Sequence, residues 1–154
     1  MSASVGNLAP PLALKDQDGN PFSLESLRGD RVAVVFFYPK DFTPGCTAES
    51  CAFRDSHEAF ADAGAVVVGV SSDGQASHRR FADAYSLPYT LVSDGAGEVR
   101  RAWGVRKSLG VFPGRVTFVV DKGGIVRHEF SSQLQAAKHV AEALKVVRSL
   151  AVET

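Results

Sequence analysis

The chain has 154 residues, of which 45% are hydrophobic and 22% charged, a composition typical of one globular domain spanning residues 1–154. Lysine plus arginine equals aspartate plus glutamate at 17 each, so the charge balance argues against nucleic acid or an acidic membrane as a partner. The apolar runs are shorter than the ~20 residues that a membrane helix needs, and the N-terminus shows no secretory signal. We therefore expect a cytoplasmic protein.

Apolar periodicity and turn residues divide the chain into strands and helices. In chain order, the predicted elements are a hairpin at 12–15 and 20–24, a strand at 32–38, a helix at 44–63, a strand at 65–70, a helix at 75–85, a strand at 89–92, a short helix at 97–103, a hairpin at 115–120 and 125–130, and an amphipathic helix at 134–150. The strands at 32–38 and 65–70 are apolar throughout, which predicts burial on both faces. Gly64 suits a left-handed cap that ends the helix between them.

The order strand, helix, strand, helix, β-hairpin, helix is the thioredoxin arrangement with extra elements at the front and in the middle. The predicted fold class is α/β, with a central mixed sheet, helices on both faces and an N-terminal hairpin extension. In this topology the strand that begins at Arg115 runs antiparallel to the strand at 32–38. Arg115 would then lie beside the loop that follows residue 38.

Two cysteines, Cys46 and Cys51, lie five positions apart at the start of the predicted helix. The approach to Cys46 is irregular because it contains Pro39, Pro44 and Gly45, and it leaves the carboxyl end of a strand, where open α/β folds place their chemistry. A helix start offers unpaired N–H groups and a partial positive charge, both of which favour a thiolate. The alternative is an inert, buried cysteine that acts as a small hydrophobic residue.

A helix terminus alone does not ionise a thiol near neutral pH. Lowering a thiol pKa from about 8.5 to about 6 takes about 3.4 kcal/mol, whereas a helix terminus supplies ~0.3–1 kcal/mol, or ~2 kcal/mol when sheltered. A cation must supply the rest, and the candidates are Lys40, Arg54 and Arg115. Arg54 lies roughly 12 Å along the helix, and Lys40 is expected to be solvated at a loop tip. Arg115 is either the partner of the thiol across the sheet or an exposed charge at a strand end.

Cys51 cannot bond to Cys46 while the helix is intact. Positions i and i+5 of a helix are about 8–9 Å apart between Cα atoms, and a disulfide needs about 4.4–6.8 Å. Either the two cysteines never bond, or the start of the helix unwinds to let them. A third possibility is that Cys51 is a core residue.

No metal or cofactor is predicted. Cys46, Cys51 and His57 could supply zinc ligands, but no second paired cluster follows them. The other histidines are scattered singly and are expected at the surface or with satisfied hydrogen bonds: His78, His128 and His139. The segment Asp121-Lys-Gly-Gly is typical of a turn and does not match a phosphate-binding loop.

Pro39, Thr43 and Cys46 form the pattern Pro-x-x-x-Thr-x-x-Cys, which resembles the signature of peroxiredoxins. Gly114-Arg115-Val-Thr-Phe resembles the arginine-bearing strand of that family. The longer string Phe37-Tyr-Pro-Lys-Asp-Phe-Thr-Pro-Gly-Cys-Thr-Ala-Glu-Ser-Cys is similar to the bacterioferritin-comigratory, or peroxiredoxin Q, subgroup. The resemblance extends over the whole chain in element order, and it implies the peroxiredoxin variant of the thioredoxin-like fold.

The resemblance implies a thioredoxin-dependent peroxidase. Cys46 would be the peroxidatic cysteine, and Arg115 with backbone N–H groups would stabilise the charge that develops on the peroxide oxygens. Thr43 would orient the peroxide, and Pro39 would keep bulk water from the sulfur. Cys51 would resolve the sulfenic acid as an intramolecular disulfide, which a thioredoxin-type dithiol protein would reduce.

Two further residues are candidates for supporting roles. Glu49 could orient Arg115 through a bidentate pair or could serve as a favourable first-turn carboxylate, and Trp103 could pack against Arg115 or belong to the core. The implied substrates are hydrogen peroxide and alkyl hydroperoxides, and the expected state is a monomer or a non-covalent dimer. Two other functions stay open at this point: a non-enzymatic redox sensor switched by oxidation of Cys46, and a thioredoxin-like interaction module with inert thiols.

Overall fold

The structure is a computed structural model that describes residues 3–105, 107–108, 112–113, 115–132 and 135–153. Its elements are, in chain order, β1 (Ala13–Lys15), β2 (Pro21–Ser23), a 3₁₀ helix (Leu24–Leu27), β3 (Val32–Phe37), α1 (Pro44–Asp55), α2 (His57–Asp62), β4 (Ala65–Ser71), α3 (Gln75–Tyr85), β5 (Thr90–Ser93), α4 (Glu98–Ala102), β6 (Lys107–Ser108), β7 (Phe112–Pro113), β8 (Val116–Val120), β9 (Val126–Ser131) and α5 (Ala136–Glu153).

Five strands form a central mixed sheet in the order β5-β4-β3-β8-β9. Strand β3 is parallel to β4, and β4 is parallel to β5, whereas β8 is antiparallel to both of its neighbours. Strands β3 and β8 are buried at every residue, because packed elements cover both faces of the sheet. The predicted thioredoxin-like topology, including the antiparallel pairing of β8 with β3, is confirmed.

The alternation of side chains along β3 divides the core into two clusters, one on each face of the sheet. Val34 and Phe36 pack with apolar residues of α1, α2, α3 and α5. Val35 and Phe37 pack on the other face, against the N-terminal segment and Trp103. Strand β3 therefore ends in the middle of a packed sheet, and the loop after it begins from a rigid position.

The prediction of one helix over residues 44–63 is wrong. The chain divides into α1 and α2 at Ser56, whose φ of −104° and ψ of 5° depart from helical values. Serine is a weak helix former because its side chain competes for backbone hydrogen bonds. The turn keeps Phe53 and Phe60 in the same core, with their ring centroids 5.8 Å apart. The second helix stops before Gly64, which has the predicted left-handed conformation with a φ of +85°.

The other predicted elements are confirmed, with ends that differ from the prediction by at most three residues. Leu134, the predicted first residue of the final helix, lies outside the described residues, as does Gly114. The 3₁₀ helix and the β6–β7 pair were not predicted, because elements this short show no periodicity. Within the described residues, no helix combines the length and apolar character that crossing a membrane requires.

Candidate active site

Cys46 lies in the first turn of α1, and both cysteines of the chain are free thiols. The side chain of Cys46 is fully buried in the core cluster that contains Phe36 and Tyr38, whereas Cys51 is partly exposed. Pro44 occupies the first helical position, so the N–H groups of the next two residues are the unpaired donors of the helix start. The structure thus places one sulfur at the positive end of a helix and the other further along the same helix.

Arg115 reaches the start of α1 from the beginning of β8. The β3–β8 register pairs Phe37 with Val116, which sets Arg115 beside the loop after β3. Its side chain is only 6% exposed, so it is not a solvated charge at a strand end. A Cβ atom on Gly45 would lie 2.8 Å from the Arg115 Nη2 atom, which means that the guanidinium rests against the turn that carries Cys46.

The other two cations named from the sequence lie elsewhere. Arg54 donates from Nη1 to the carbonyl of Tyr85 at 2.8 Å and pairs with Asp55. Lys40 is exposed on the loop before α1. Of the three candidates, Arg115 is the one that the fold brings to the cysteine turn.

Glu49 lies one helical turn after Cys46 and is fully buried. Its Oε1 atom lies 3.5 Å from Nη1 of Arg115, an ion-pair distance, and among the described residues neither oxygen of Glu49 makes a hydrogen bond. The bidentate pair considered from the sequence is therefore not formed. Burial raises the pKa of Glu49 to about 8, although the positive charge of Arg115 opposes the shift. Burial therefore favours the protonated form of Glu49.

Trp103 lies in the core, on the sheet face that carries Phe37. Its ring centroid is 5.6 Å from that of Phe37 and 5.1 Å from that of Phe118, and its Nε1 atom donates to the Pro11 carbonyl at 3.4 Å. These contacts favour the core interpretation of Trp103 over a role against Arg115.

The loop between β3 and α1 contains Pro39 and Thr43. Pro39 directly follows Tyr38 and is partly buried. The Thr43 hydroxyl donates to the carbonyl of Lys40 at 2.8 Å, closing a turn, and the described contacts include no cap of α1 by this side chain. Phe42, between them, has a φ of +66°, a left-handed conformation that costs a non-glycine residue about 1–2 kcal/mol.

Sequence reasoning missed the residues that anchor this loop. Asp41, only 4% exposed, accepts a hydrogen bond from the Tyr38 hydroxyl at 2.6 Å, and His78 Nδ1 lies 2.7 Å from its Oδ2 atom. The Nε2 atom of His78 lies 3.1 Å from the Val92 carbonyl. Because the Val92 carbonyl can only accept, Nε2 of His78 carries a hydrogen, and Nδ1 forms a buried hydrogen bond with Asp41. No local pattern signals a pair separated by 37 residues.

Asp41, Asp73 and His78 place ligand-type atoms within 4.8 Å of one another, as a small metal site would. These atoms are already used by the protein. Asp73 accepts from the Ser71 hydroxyl at 2.7 Å and from the N–H of Asp41 at 2.8 Å. We therefore assign the group to the loop anchor.

Comparison with known proteins agrees with this geometry. The chain matches the AhpC/TSA family over residues 5–129. It is 51% identical over 148 residues to chloroplastic peroxiredoxin Q of Oryza sativa subsp. japonica, an alignment that covers 96% of this chain and 68% of the relative. The fold is similar to peroxidoxin BcpB from Mycobacterium tuberculosis, with a TM-score of 0.88, 37% identity and coverage of 96% and 98%. The fold is also similar to the bacterioferritin comigratory protein of Xanthomonas campestris, with a TM-score of 0.83 and 32% identity. That match covers 91% of this chain and 92% of the other.

The chain therefore belongs to the AhpC/TSA family. Within that family it is a peroxiredoxin of the peroxiredoxin Q, or bacterioferritin-comigratory, group, and it is a thiol peroxidase that acts on peroxides with a thioredoxin-type reductant. The predicted cytoplasmic location is wrong, because relatives such as the rice protein are chloroplastic peroxiredoxins.

Proposed function

We propose that Cys46 is the peroxidatic cysteine of this thiol peroxidase and that one domain, residues 1–154, carries the whole activity. The observation that supports it is the contact of Arg115 with Gly45, at the turn that bears the buried sulfur. Among the described residues, the Nε and Nη1 atoms of Arg115 have no hydrogen-bond partner; Nη1 lies 3.5 Å from Glu49 Oε1, and the Nε donor is available to an anion. Buried donors aimed at developing charge stabilise a transition state more than solvated ones do.

In the first step, the Cys46 thiolate attacks the terminal oxygen of hydrogen peroxide or of an alkyl hydroperoxide. A sulfur–oxygen bond forms and the oxygen–oxygen bond breaks. The leaving hydroxide or alkoxide takes a proton and departs as water or alcohol, and the sulfur becomes a sulfenic acid. Thr43 turns its hydroxyl from the Lys40 carbonyl to the peroxide, and Pro39 shields the sulfur from bulk water. The alkyl peroxide reduction activity of the Xanthomonas protein supports the inclusion of alkyl hydroperoxides.

A peroxide reaches Cys46 only after a small movement, because the sulfur is fully buried. The left-handed backbone of Phe42 favours such an opening, since strain of about 1–2 kcal/mol is released when this loop relaxes. The Asp41–His78 pair keeps the base of the loop in place. Opening is therefore confined to the turn between Phe42 and Cys46.

In the second step, Cys51 attacks the sulfenic sulfur, a disulfide forms and the oxygen leaves as water. Both cysteines lie within α1, where positions i and i+5 are about 8–9 Å apart between Cα atoms, so the start of α1 must unwind first. A thioredoxin-type dithiol then returns two electrons by exchange. The disulfide forms within one chain, so a monomer and a non-covalent dimer are both compatible with the cycle.

The test compares Cys46→Ser with Cys51→Ser, the same change at two positions of one helix. Cys46→Ser should consume no peroxide in rapid-mixing experiments. Cys51→Ser should reduce one equivalent, gain the mass of one oxygen atom and fail to recycle with thioredoxin. Normal recycling of Cys51→Ser would refute the resolving role. If the wild-type protein oxidises once and is reduced again only slowly, the function is redox sensing.

A second measurement addresses the unwinding. Circular dichroism and a crystal structure of the oxidised protein should show a Cys46–Cys51 disulfide together with a shortened α1. An intact helix over residues 44–52 that carries this disulfide would contradict the mechanism on distance grounds.

A further inference from the structure

Beneath the cysteine turn lies a buried polar group that the peroxide chemistry above does not use. It joins Glu49 of α1, Thr117 of β8 and His139 of α5, and each of these residues is 0% exposed. The sequence predicts His139 to be a surface or a satisfied histidine, and the structure shows the second case. Three separate elements meet at this group, and Glu49 links it to Arg115.

The hydrogen bonds of His139 are those of a neutral imidazole ring that carries its hydrogen on Nε2. Its Nε2 atom lies 2.8 Å from the Ser132 carbonyl, which can only accept, so Nε2 carries a hydrogen. Its Nδ1 atom lies 2.8 Å from the Thr117 hydroxyl, which can donate to the free electron pair of a neutral ring. Burial lowers the pKa of His139, and the charges of Arg115 and His128 lower it further, while the hydrogen bond to Ser132 acts in the opposite direction.

The electron pair on Nδ1 also faces Glu49. The Oε2 atom of Glu49 is 3.4 Å from His139 Nδ1, and within the described part of the chain neither Glu49 oxygen has a hydrogen-bond partner. An ionised Glu49 would be a buried anion with Arg115 Nη1 at 3.5 Å from Oε1, while its Oε2 atom would face a neutral acceptor. A protonated Glu49 carries no charge, and its O–H can donate to Nδ1 in place of the Thr117 hydroxyl after a movement of a few tenths of an ångström.

We propose that Glu49 and His139 share one proton beneath the cysteine turn, and that this proton keeps Glu49 neutral so that the charge of Arg115 acts undivided on Cys46 and the peroxide. His139 is then a positioning residue, which acts through Glu49 and Arg115. The inference rests on the proposed role of Cys46 and Arg115. It adds that the protonation of Glu49 sets how strongly the charge of Arg115 acts on Cys46.

The proposal has a consequence for pH. The titratable and charged groups that interact with Glu49 or with His139 are Arg115 on β8, His128 on β9 and Tyr89 before β5, and Cys46 lies one turn before Glu49 on the same helix. Burial raises the pKa of Tyr89 far above its ordinary value, so it stays neutral. Above about pH 8 Glu49 releases its proton, and the new carboxylate pairs with Arg115. The peroxide reaction should then slow.

A direct test is a titration of the protein carrying ¹³C-labelled glutamate, followed by NMR, with Glu49→Gln identifying the Glu49 resonance. A midpoint near pH 8 supports the proposal, and a midpoint near 4.5, the ordinary value for a glutamate, overturns it. The rate constant for peroxide reduction should fall about tenfold between about pH 8 and pH 10 in the wild-type protein, and this decline should be missing in Glu49→Gln. Equal declines in both proteins would refute the link to Arg115.

The role of His139 is tested with His139→Leu and His139→Asn. Leucine removes the acceptor and should lower the titration midpoint of Glu49 by about one pH unit. Asparagine can place its amide oxygen near the position that Nδ1 occupies in the wild-type protein, so the midpoint should return most of the way to the wild-type value. A rise of the midpoint in His139→Leu would mean that His139 is a cation and would overturn the proposal. If His139→Leu does not fold, the Glu49 midpoint of the wild-type protein still supports or refutes the proposal. Loss of turnover in Cys46→Ser together with a Glu49 midpoint near 4.5 would leave the proposed function intact while refuting this inference.

Discussion

The contact between Gly45 and Arg115 gives a prediction that separates catalysis from stability. In Gly45→Ala, the added Cβ would lie 2.8 Å from the Arg115 Nη2 atom and 3.5 Å from Cζ. Ordinary contacts between such atoms are about 3.5–4 Å, so the guanidinium must withdraw by roughly 1 Å. Residue 45 is in the first turn of α1, where alanine is at least as good a helix former as glycine. The fold should therefore tolerate the change.

The effect on the rate follows from the displacement. Two unit charges about 4 Å apart at an effective dielectric constant of 20 interact by about 4 kcal/mol, and a further 1 Å removes about 0.8 kcal/mol, or about fourfold in rate. Misplacement of a positioning group by about 1 Å lowers a reaction rate by up to about 100-fold. We therefore expect the second-order rate constant for peroxide reduction to fall by about 4-fold to 100-fold, with little loss of stability.

The assay is rapid mixing of the reduced variant with peroxide, alongside urea unfolding of the same preparation. Gly74→Ala is the matched control: Gly74 precedes α3, its φ is −78°, and in the described part of the chain nothing lies within 4 Å of the added Cβ. The control should keep the wild-type rate. A wild-type rate in Gly45→Ala would show that the placement of Arg115 against this turn does not support the reaction.

Three further variants probe the surroundings of the site. Burial raises the pKa of Glu49 from 4.5 to about 8, so the folded protein keeps a proton that the unfolded chain releases, and the free energy of unfolding should fall as the pH rises from 4.5 to about 8. Glu49→Gln should remove this slope in urea titrations. Tyr89→Phe loses the hydrogen bond to the Ser50 carbonyl in α1, so we expect about 1 kcal/mol less stability and disulfide formation about fivefold faster by mass spectrometry. Asp41→Ala removes the carboxylate that the buried Tyr38 hydroxyl and His78 Nδ1 both contact, which should lower the free energy of unfolding by about 1–3 kcal/mol.

Each of these predictions has a result that contradicts it. An equal pH slope in the wild-type protein and in Glu49→Gln would assign the proton to another group. Disulfide formation at an unchanged rate in Tyr89→Phe would mean that the Ser50 hydrogen bond survives the unwinding of α1. A loss of less than about 1 kcal/mol in Asp41→Ala would mean that the hydrogen bonds of Asp41 do not stabilise this loop.

Strong local patterns made the central elements predictable. The apolar run at residues 32–38 corresponds to β3, and Gly64 ends the second helix in the left-handed conformation that was expected. The break at Ser56 was not predicted, because one serine is a weak signal and the turn depends on how Phe53 and Phe60 share the core. The anchor of the cysteine loop was missed for a similar reason, since Asp41 and His78 meet only after α3 has packed.

By itself, the sequence determined which segments form strands and helices, that two thiols lie on one helix, and which family the cysteine motif resembles. These properties arise from propensities and spacings that act over a few neighbouring residues. Only the tertiary structure decided that Arg115 lies against Gly45 and that Glu49 is buried beside His139, where burial raises its pKa. The physical reason is that electrostatic free energy depends on distance and on exposure to water, and both are set when the sheet register and the packing of α5 bring together parts of the chain that are far apart in sequence.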